Sequence, residues 1–172
     1  YEIKELPYIN KKHIFKLCES IIIKSINEPS FCTMYARLSY SLLPYLILES
    51  VMINGEKKEK KIYFRLALLT ICQDIFEELT NTRVIGKAFE YNRSLDYSKL
   101  KLSGLMKFLA ELYNFDVLND KIINQCFGTL FKLILKGDDY YDAISIFTQS
   151  FLKKMKTCNP NVYKKIKNEI TG

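Results

Sequence analysis

A chain of 172 residues with 48% apolar side chains has ample cover for one buried core, which argues against disorder. Six Gly and four Pro are few for an all-β fold, which uses both at its turns, so long helices with short connections are expected. The balance of 26 Lys and Arg against 19 Asp and Glu, a net +7, suits attraction to nucleic acid or to an acidic protein face, and equally suits solvated helix faces.

The first periodic stretch predicts a helix from Lys11 to about Asn27. Ile14, Cys18, Ile21, Ile22 and Ile26 recur at three- and four-residue intervals, Asn10 is a suitable N-cap, and Glu28-Pro29 stops the segment. Ser30 can cap a second helix whose apolar positions are Phe31, Met34, Tyr35, Leu38, Leu42 and Tyr45, running on towards Met52 with a kink at Pro44. Asn54-Gly55 reads as the left-handed C-cap of that helix. Lys57 to Lys61 reads as a polar bridge to a third helix, from about Ile62 to Leu79, with Leu66, Leu69, Cys72, Phe76 and Leu79 inward. The stretch from Thr80 to Ser98 has no clear period and reads as a loop with room for a short helix.

From Lys99 the period returns. Leu102, Leu105, Met106, Leu109, Leu112 and Tyr113 form one face. Asn119 caps the next helix, whose doubled apolar pairs, Ile122-Ile123, Cys126-Phe127 and Leu130-Phe131, predict packing on two sides. Gly137 closes it, and Asp138 can cap another carrying Ile144, Phe147, Phe151 and Met155. Asn159-Pro160 starts a last helix reaching about Ile170. The expectation is all-α: roughly seven helices and no strand, buried as a bundle or as stacked antiparallel pairs in a solenoid.

Little in the sequence carries catalysis. His13 is the single histidine, so acid–base pairs and nucleophile pairs built on histidine lack material, and it reads as a surface or cap residue. Glu77/Glu78 and Asp138/Asp139 are adjacent pairs that diverge by about 100° on a helix rather than converge on a substrate. The five cysteines lie far apart among apolar neighbours, without metal-site or redox spacing, and predict free core thiols in a reducing compartment. No phosphate loop, metal set or cofactor motif is present, so no enzyme activity and no cofactor are expected. No apolar run approaches the roughly 18 residues of a membrane span.

Three basic clusters could contact phosphate: Lys57, Lys58, Lys60 and Lys61; Lys153, Lys154 and Lys156; and Lys164, Lys165 and Lys167. Each could equally be a solvated face or oppose a helix dipole at its C-terminus. The twelve Tyr and eleven Phe lie mostly on apolar helix faces and read as core, with Tyr91, Tyr140 and Tyr141 near loops as exceptions.

Three stretches carry a family resemblance. Ile26-Asn27-Glu28-Pro29-Ser30-Phe31, followed by Met34-Tyr35-Ala36-Arg37-Leu38, is similar to a Ser-Glu-Pro-Asn-Phe turn with a following Tyr-Ala. Tyr63-Phe64-Arg65, with Leu68-Leu69 and Cys72-Gln73-Asp74-Ile75-Phe76-Glu77, resembles a helix with an Asn-Phe-Arg start and a Cys-Gln-x-x-Phe-Glu end. Leu102 to Tyr113 resembles a Leu-Gly-x-x-x-Phe-Ile-Gly-Glu-Leu-Phe helix, with Ala110 in place of the second Gly. All three stretches resemble the middle domain of translation-initiation factor 4G, a HEAT-type repeat of antiparallel helix pairs.

The resemblance implies a HEAT-repeat solenoid over residues 1–172, a single middle-type domain, monomeric and cytoplasmic; because the chain opens at Tyr1 without an initiator Met, it is expected to be a piece of a longer protein. It also implies a scaffold that holds the DEAD-box helicase factor 4A in a favourable lobe arrangement, with mRNA and initiation factor 3 as further partners. The helicase contact is expected at the turn Asn27, Glu28, Pro29 and Ser30, supported by Phe31 and Tyr35, with Arg65 and Lys101 exposed near the starts of their helices. Lys57, Lys58, Lys60, Lys61, Lys153 and Lys154 are the expected RNA contacts. Compared with the family's five helix pairs, this stretch is expected to lack part of the first helix and the last pair, which bears on whether both helicase lobes are held. A middle-type domain of mRNA decay or poly(A) binding, and a basic helical RNA-binding module, remain as alternatives.

Overall fold

A computed structural model of the chain describes residues 10–80, 95–136, 141–158 and 160–171. The elements are α1 (Lys11–Asn27), a 3-10 turn (Pro29–Phe31), α2 (Cys32–Leu42), β1 (Leu46–Ile53), β2 (Glu56–Tyr63), α3 (Phe64–Leu79), α4 (Leu95–Asn114), α5 (Asp120–Leu135), α6 (Tyr141–Cys158) and α7 (Pro160–Thr171). The expected closing Gly137 and caps Asp138 and Asn159 lie outside the described residues, as do Tyr91, Tyr140 and most of the stretch read as a loop before α4.

The helices stack in two layers. Neighbours α1 and α3 form one side, and α2, α4 and α6 pack successively on the other, with α7 against α6. The predicted inner face of α1 holds, with Ile14, Cys18, Ile21, Ile22 and Ile26 all buried. Its start is closed by a reciprocal cap: Asn10 Oδ1 accepts from the His13 amide at 3.2 Å, and His13 Nδ1 accepts from the Asn10 amide at 3.3 Å. Asn119 caps α5 in the same way, accepting from the Ile122 amide at 3.1 Å.

The centre of the molecule is α4. Its predicted face is buried, and so are Phe108 and Ala110 on other sides, because α1, α2, α3, α5 and α6 all touch it. Phe64, Phe108 and Phe147 are the largest fully buried side chains, each stabilising the core by about 1.5–3 kcal/mol.

Several expectations fail between Leu42 and Tyr63. Helix α2 does not continue through Pro44 towards Met52. It stops at Leu42, because Pro44 has no N–H to donate back to Tyr40. The apolar run that follows is strand β1, paired antiparallel with β2 from Leu46 opposite Tyr63 to Ile53 opposite Glu56. Asn54 and Gly55 have φ of 52° and 81°, so this dipeptide forms the tight turn of a β-hairpin rather than a helix cap. Among the described residues the fold is therefore predominantly helical with one two-stranded ribbon, and the polar bridge at Lys57–Lys61 is the second strand.

Only the base of the ribbon joins the core. Ile47 and Ile62 face each other buried, Leu46 is buried beside them, and the Phe64 amide donates to the Tyr45 carbonyl at 3.0 Å to close the base. The distal half is exposed along most of both strands.

Candidate partner-binding site

The connection between α1 and α2 is a built turn. Glu28 leaves the helix at φ −123°, and its amide still donates to the Lys24 carbonyl at 2.8 Å. Pro29 then starts the 3-10 turn, where its missing N–H costs nothing, and the Phe31 amide donates to the Glu28 carbonyl at 3.0 Å.

The Glu28 carboxylate is hydrogen-bonded within its own turn. Tyr35 donates to one oxygen at 2.6 Å and Lys24 Nζ to the other at 3.3 Å. The phenol first and the ammonium second hold this carboxyl below the ordinary carboxylate range, and the same bond pushes the Tyr35 phenol up. Glu28 and Tyr35 thus help to fix the shape of the turn.

Two contacts from α4 brace the turn from behind. Lys107 Nζ donates to the Pro29 carbonyl at 3.0 Å, across 78 residues of sequence. Gly104 lies against the last turn of α1, where a Cβ would stand 2.8 Å from the Ile26 carbonyl oxygen. That distance is too short for any other residue without moving one helix, which gives the glycine of the resembling motif a physical reason.

Braced this way, the turn presents Asn27, Pro29, Ser30 and Phe31 to solvent, with Phe31 54% exposed. The expected inner face of α2 is corrected. Cys32, Ala36 and Ser39 are the buried positions, and Met34 and Leu38, 54% and 42% exposed, continue outward from Phe31. Small inward residues let α2 sit close on α4, and the larger apolar ones are left as an external stripe at positions i, i+3 and i+7. Sequence reasoning placed Met34 and Leu38 in the core and missed Lys107 as an anchor. The signal available was an apolar residue on nearly every side of α2, more than a single buried face can use.

The remaining expected residues disperse. Arg65 is exposed in the first turn of α3, beyond the base of the ribbon. Lys101 is corrected: it is 6% exposed, because α4 begins at Leu95 and Lys101 already lies inside the packed region. Lys57, Lys58, Lys60 and Lys61 are exposed along β2. The Lys153 side chain lies outside the described residues. Lys154 works inside the fold. Its ammonium donates to the Tyr113 carbonyl and to Asp116 Oδ1 at 2.6 Å, and stands 4.5 Å from the centre of the Tyr113 ring. It thereby satisfies the C-terminus of α4, where a cation also opposes the helix dipole.

A cleft of about 800 Å³ opens between α3 and α5, floored by Leu69, Phe76, Leu109 and Ile122, with Cys72 and Cys126 on its walls. Burial pushes the Cys126 thiol up to about 12 and the Cys72 thiol higher, so neither presents a thiolate. Cys18 and Cys32 are likewise buried and free, each pushed up to about 12. Among the described residues no group of three His, Cys, Asp or Glu could hold a metal ion, and no helix is long and apolar enough to cross a membrane.

Comparison with known proteins gives the same family as the motifs. The chain is 27% identical over 149 residues to a probable eukaryotic translation initiation factor 4 gamma homolog of Vairimorpha ceranae, covering 78% of this chain and 24% of that protein. It is 28% identical over 120 residues to eukaryotic translation initiation factor 4 gamma 2 of Mus musculus, covering 65% of this chain and 13% of the relative. Against eukaryotic translation initiation factor 4 gamma of Dictyostelium discoideum it is 21% identical over 208 residues, covering 90% of the chain and 15% of the relative. The chain thus spans at most about a quarter of the length of these relatives. The model of the MIF4G domain matches residues 2–169, nearly the whole chain, and this protein belongs to the MIF4G domain family, of the kind found in initiation factor 4G.

Proposed function

We propose that this domain is a translation-initiation scaffold that holds the DEAD-box helicase factor 4A through the α1–α2 turn. The observation that carries the reading is the braced turn: Lys107 and Gly104 fix it from behind, and Phe31 stands exposed at its tip. A preformed turn loses little conformational freedom on binding, so its contacts appear in affinity rather than in ordering cost. Asn27 and Ser30 supply polar edges, and the Phe31, Met34 and Leu38 stripe supplies apolar area beside them. Arg65 is kept as a peripheral contact, whereas Lys101 is too buried to serve as one.

The scaffold does its work by population shift. A body that binds one lobe arrangement of the helicase better than the others raises that arrangement's population, and equal affinity for all of them shifts nothing. The family relation to initiation factor 4 gamma proteins supports this reading over mRNA decay or poly(A) binding.

The test is a calorimetric titration against the initiation helicase of the same organism, with helicase ATPase followed in parallel. Wild-type domain is expected to bind and to stimulate ATPase, and Phe31→Ser to weaken binding with no change in the thermal midpoint. Binding without stimulation would mean that a single lobe is held. Failure of the wild-type domain to bind would end the helicase reading.

A further inference from the structure

The two edges of the ribbon differ. β2 reads Glu-Lys-Lys-Glu-Lys-Lys along its exposed length, and lysines on an edge discourage further pairing. β1 reads Leu-Ile-Leu-Glu-Ser-Val-Met-Ile, with Glu49 as its single charge and Leu48, Met52 and Ile53 exposed at 39%, 69% and 46%. Among the described residues β1 pairs with β2 alone. The two-residue turn fixes which backbone groups that leaves over. Ile53 and Glu56 close the turn as a hydrogen-bonded pair, and such pairs alternate, so Val51, Glu49 and Ile47 also bond to β2. The Phe64 amide on the Tyr45 carbonyl continues the same odd-numbered series on β1's side. The N–H and C=O groups of Leu48, Ser50 and Met52 therefore point away from β2, along an edge with no lysine or proline to blunt it.

We propose that this edge pairs with the same edge of a second copy of the chain, making a four-stranded antiparallel sheet about a two-fold axis between the two Ser50 residues. The sequence of β1 is self-complementary in that register. Leu48 faces Met52 of its partner on both sides of the axis, Ser50 faces Ser50, and each Glu49 meets Val51. The three facing pairs exchange about six backbone hydrogen bonds, all from groups that β2 leaves unused. Centred on Glu49, the register would set two carboxylates face to face. Centred on Val51, it would set Leu48 against Asn54 and Met52 against Ser50. In the Ser50 register Leu46 lies level with Asn54 of the partner, so each hairpin tip ends beside the buried base of the other ribbon. The lysines then sit on the two outer strands, whose edges stay blunted, so the assembly closes at two copies instead of growing. So short a seam is smaller than the roughly 800 Å² per partner of a standard interface, which makes the dimer weak and dependent on concentration.

The test is sedimentation equilibrium of the chain from about 5 to about 500 µM, a range that spans weak, reversible association. The average mass is expected to climb from one chain towards two and to stop there. Ser50→Pro removes an outward N–H without touching the bonds to β2. It is expected to weaken the dimer at least about tenfold, since two hydrogen bonds are lost per dimer. Met52→Lys sets a charge against Leu48 on both sides of the axis and is expected to weaken it by a similar factor. Glu59→Gln changes the net charge by the same amount on the outer strand and is expected to stay within about threefold of wild type. Residue-resolved amide exchange reads the edge directly. Between dilute and concentrated protein the Leu48, Ser50 and Met52 amides are expected to slow several-fold, and the Glu49 and Val51 amides, bonded to β2 throughout, to change less. A mass that stays at one chain up to about 500 µM would overturn the proposal. So would a dimer indifferent to both Ser50→Pro and Met52→Lys, which would pair through another surface, and so would growth beyond two copies. Leu48, Ser50 and Met52 amides already protected in dilute protein would also overturn it, because the edge would then be covered within one copy. Met52 is 69% exposed, so Met52→Lys decides the matter even if Ser50→Pro loses the ribbon.

Discussion

Gly104 is the residue on which the geometry of the candidate site turns. Its missing Cβ would meet the Ile26 carbonyl oxygen at 2.8 Å and the Ile26 Cα at 3.1 Å, both backbone atoms that cannot swing aside like a side-chain tip. Alanine gains up to about 1 kcal/mol in helix propensity, but forcing two packed helices apart costs about 1–3 kcal/mol. Gly104→Ala is therefore expected to lose about 1–2 kcal/mol net in urea denaturation, and to weaken helicase binding by shifting the turn that Lys107 holds. An unchanged denaturation midpoint would show that α1 and α4 can part freely. At the same scale, Glu28 titrates lower in the fold than in the unfolded chain, so its bond to Tyr35 and Lys24 stabilises above the ordinary carboxylate range and is lost as pH falls below it. Tyr35 titrates higher in the fold, so its share is present below the ordinary phenol range and fades as pH rises through the raised value. Thermal midpoints of wild type and Tyr35→Phe are expected to differ near neutrality and to converge in acid; a constant gap down to pH 3 would mean that the hydrogen bond does not stabilise the turn. The turn itself was legible in Glu28-Pro29-Ser30-Phe31, because a helix stop and a following helix leave a local signature. Its anchors were not, since nothing near Pro29 in sequence points to Lys107.

Single elements divide by whether one period explains them. Helices α1, α4 and α5 were legible because their apolar residues repeat at one spacing and their caps, Asn10 and Asn119, stand where the period starts. The stretch from Leu42 to Ile53 is apolar almost throughout, and such a run satisfies helix and strand spacings alike. Only pairing decides it, and the partner strand reads Glu-Lys-Lys-Glu-Lys-Lys, a composition with little strand preference of its own. Asn54-Gly55 was the available signal, since both residues must take positive φ. Open space surrounds Gly55, so Gly55→Ala carries a purely conformational cost of about 1 kcal/mol. Amide exchange in β1 and β2 is expected to speed up several-fold while α1 and α4 stay protected; uniform loss of protection would mean that the ribbon is integral to the core. Lys154 makes the opposite case, a residue read as an RNA contact that the structure uses as a helix terminus. Lys154→Met keeps most of the stem and loses the bonds to Tyr113 and Asp116, and is expected to cost about 1–2 kcal/mol in urea denaturation. A denaturation midpoint equal to wild type would return Lys154 to the solvated surface.

Across the whole molecule, a scaffold of stacked helices can influence a two-lobed partner only by preferring one of its arrangements. Helix α4 touches α1, α2, α3, α5 and α6, so the braced turn is packed onto the layers behind it. If the domain holds the helicase as proposed, a body packed in this way binds the arrangement that fits at the expense of the rest. Linkage then imposes a relation between two independent measurements. If ATP analogue and RNA together tighten helicase binding to this domain by some factor, the domain must tighten helicase binding to that ligand pair by the same factor. Coupling of this sort usually lies in the range of about 5- to 150-fold, and a value of at least about fivefold is expected if the domain selects a lobe arrangement. Titrations of domain into helicase with and without the ligands, and of the ligands into helicase with and without domain, close the cycle. A factor near one in both directions would leave a domain that tethers the helicase without directing it. If the proposed turn contact is shared by all lobe arrangements, Phe31→Ser is expected to lower affinity in every arm while preserving the factor. Loss of the factor itself in that variant would place the discriminating contact at the turn.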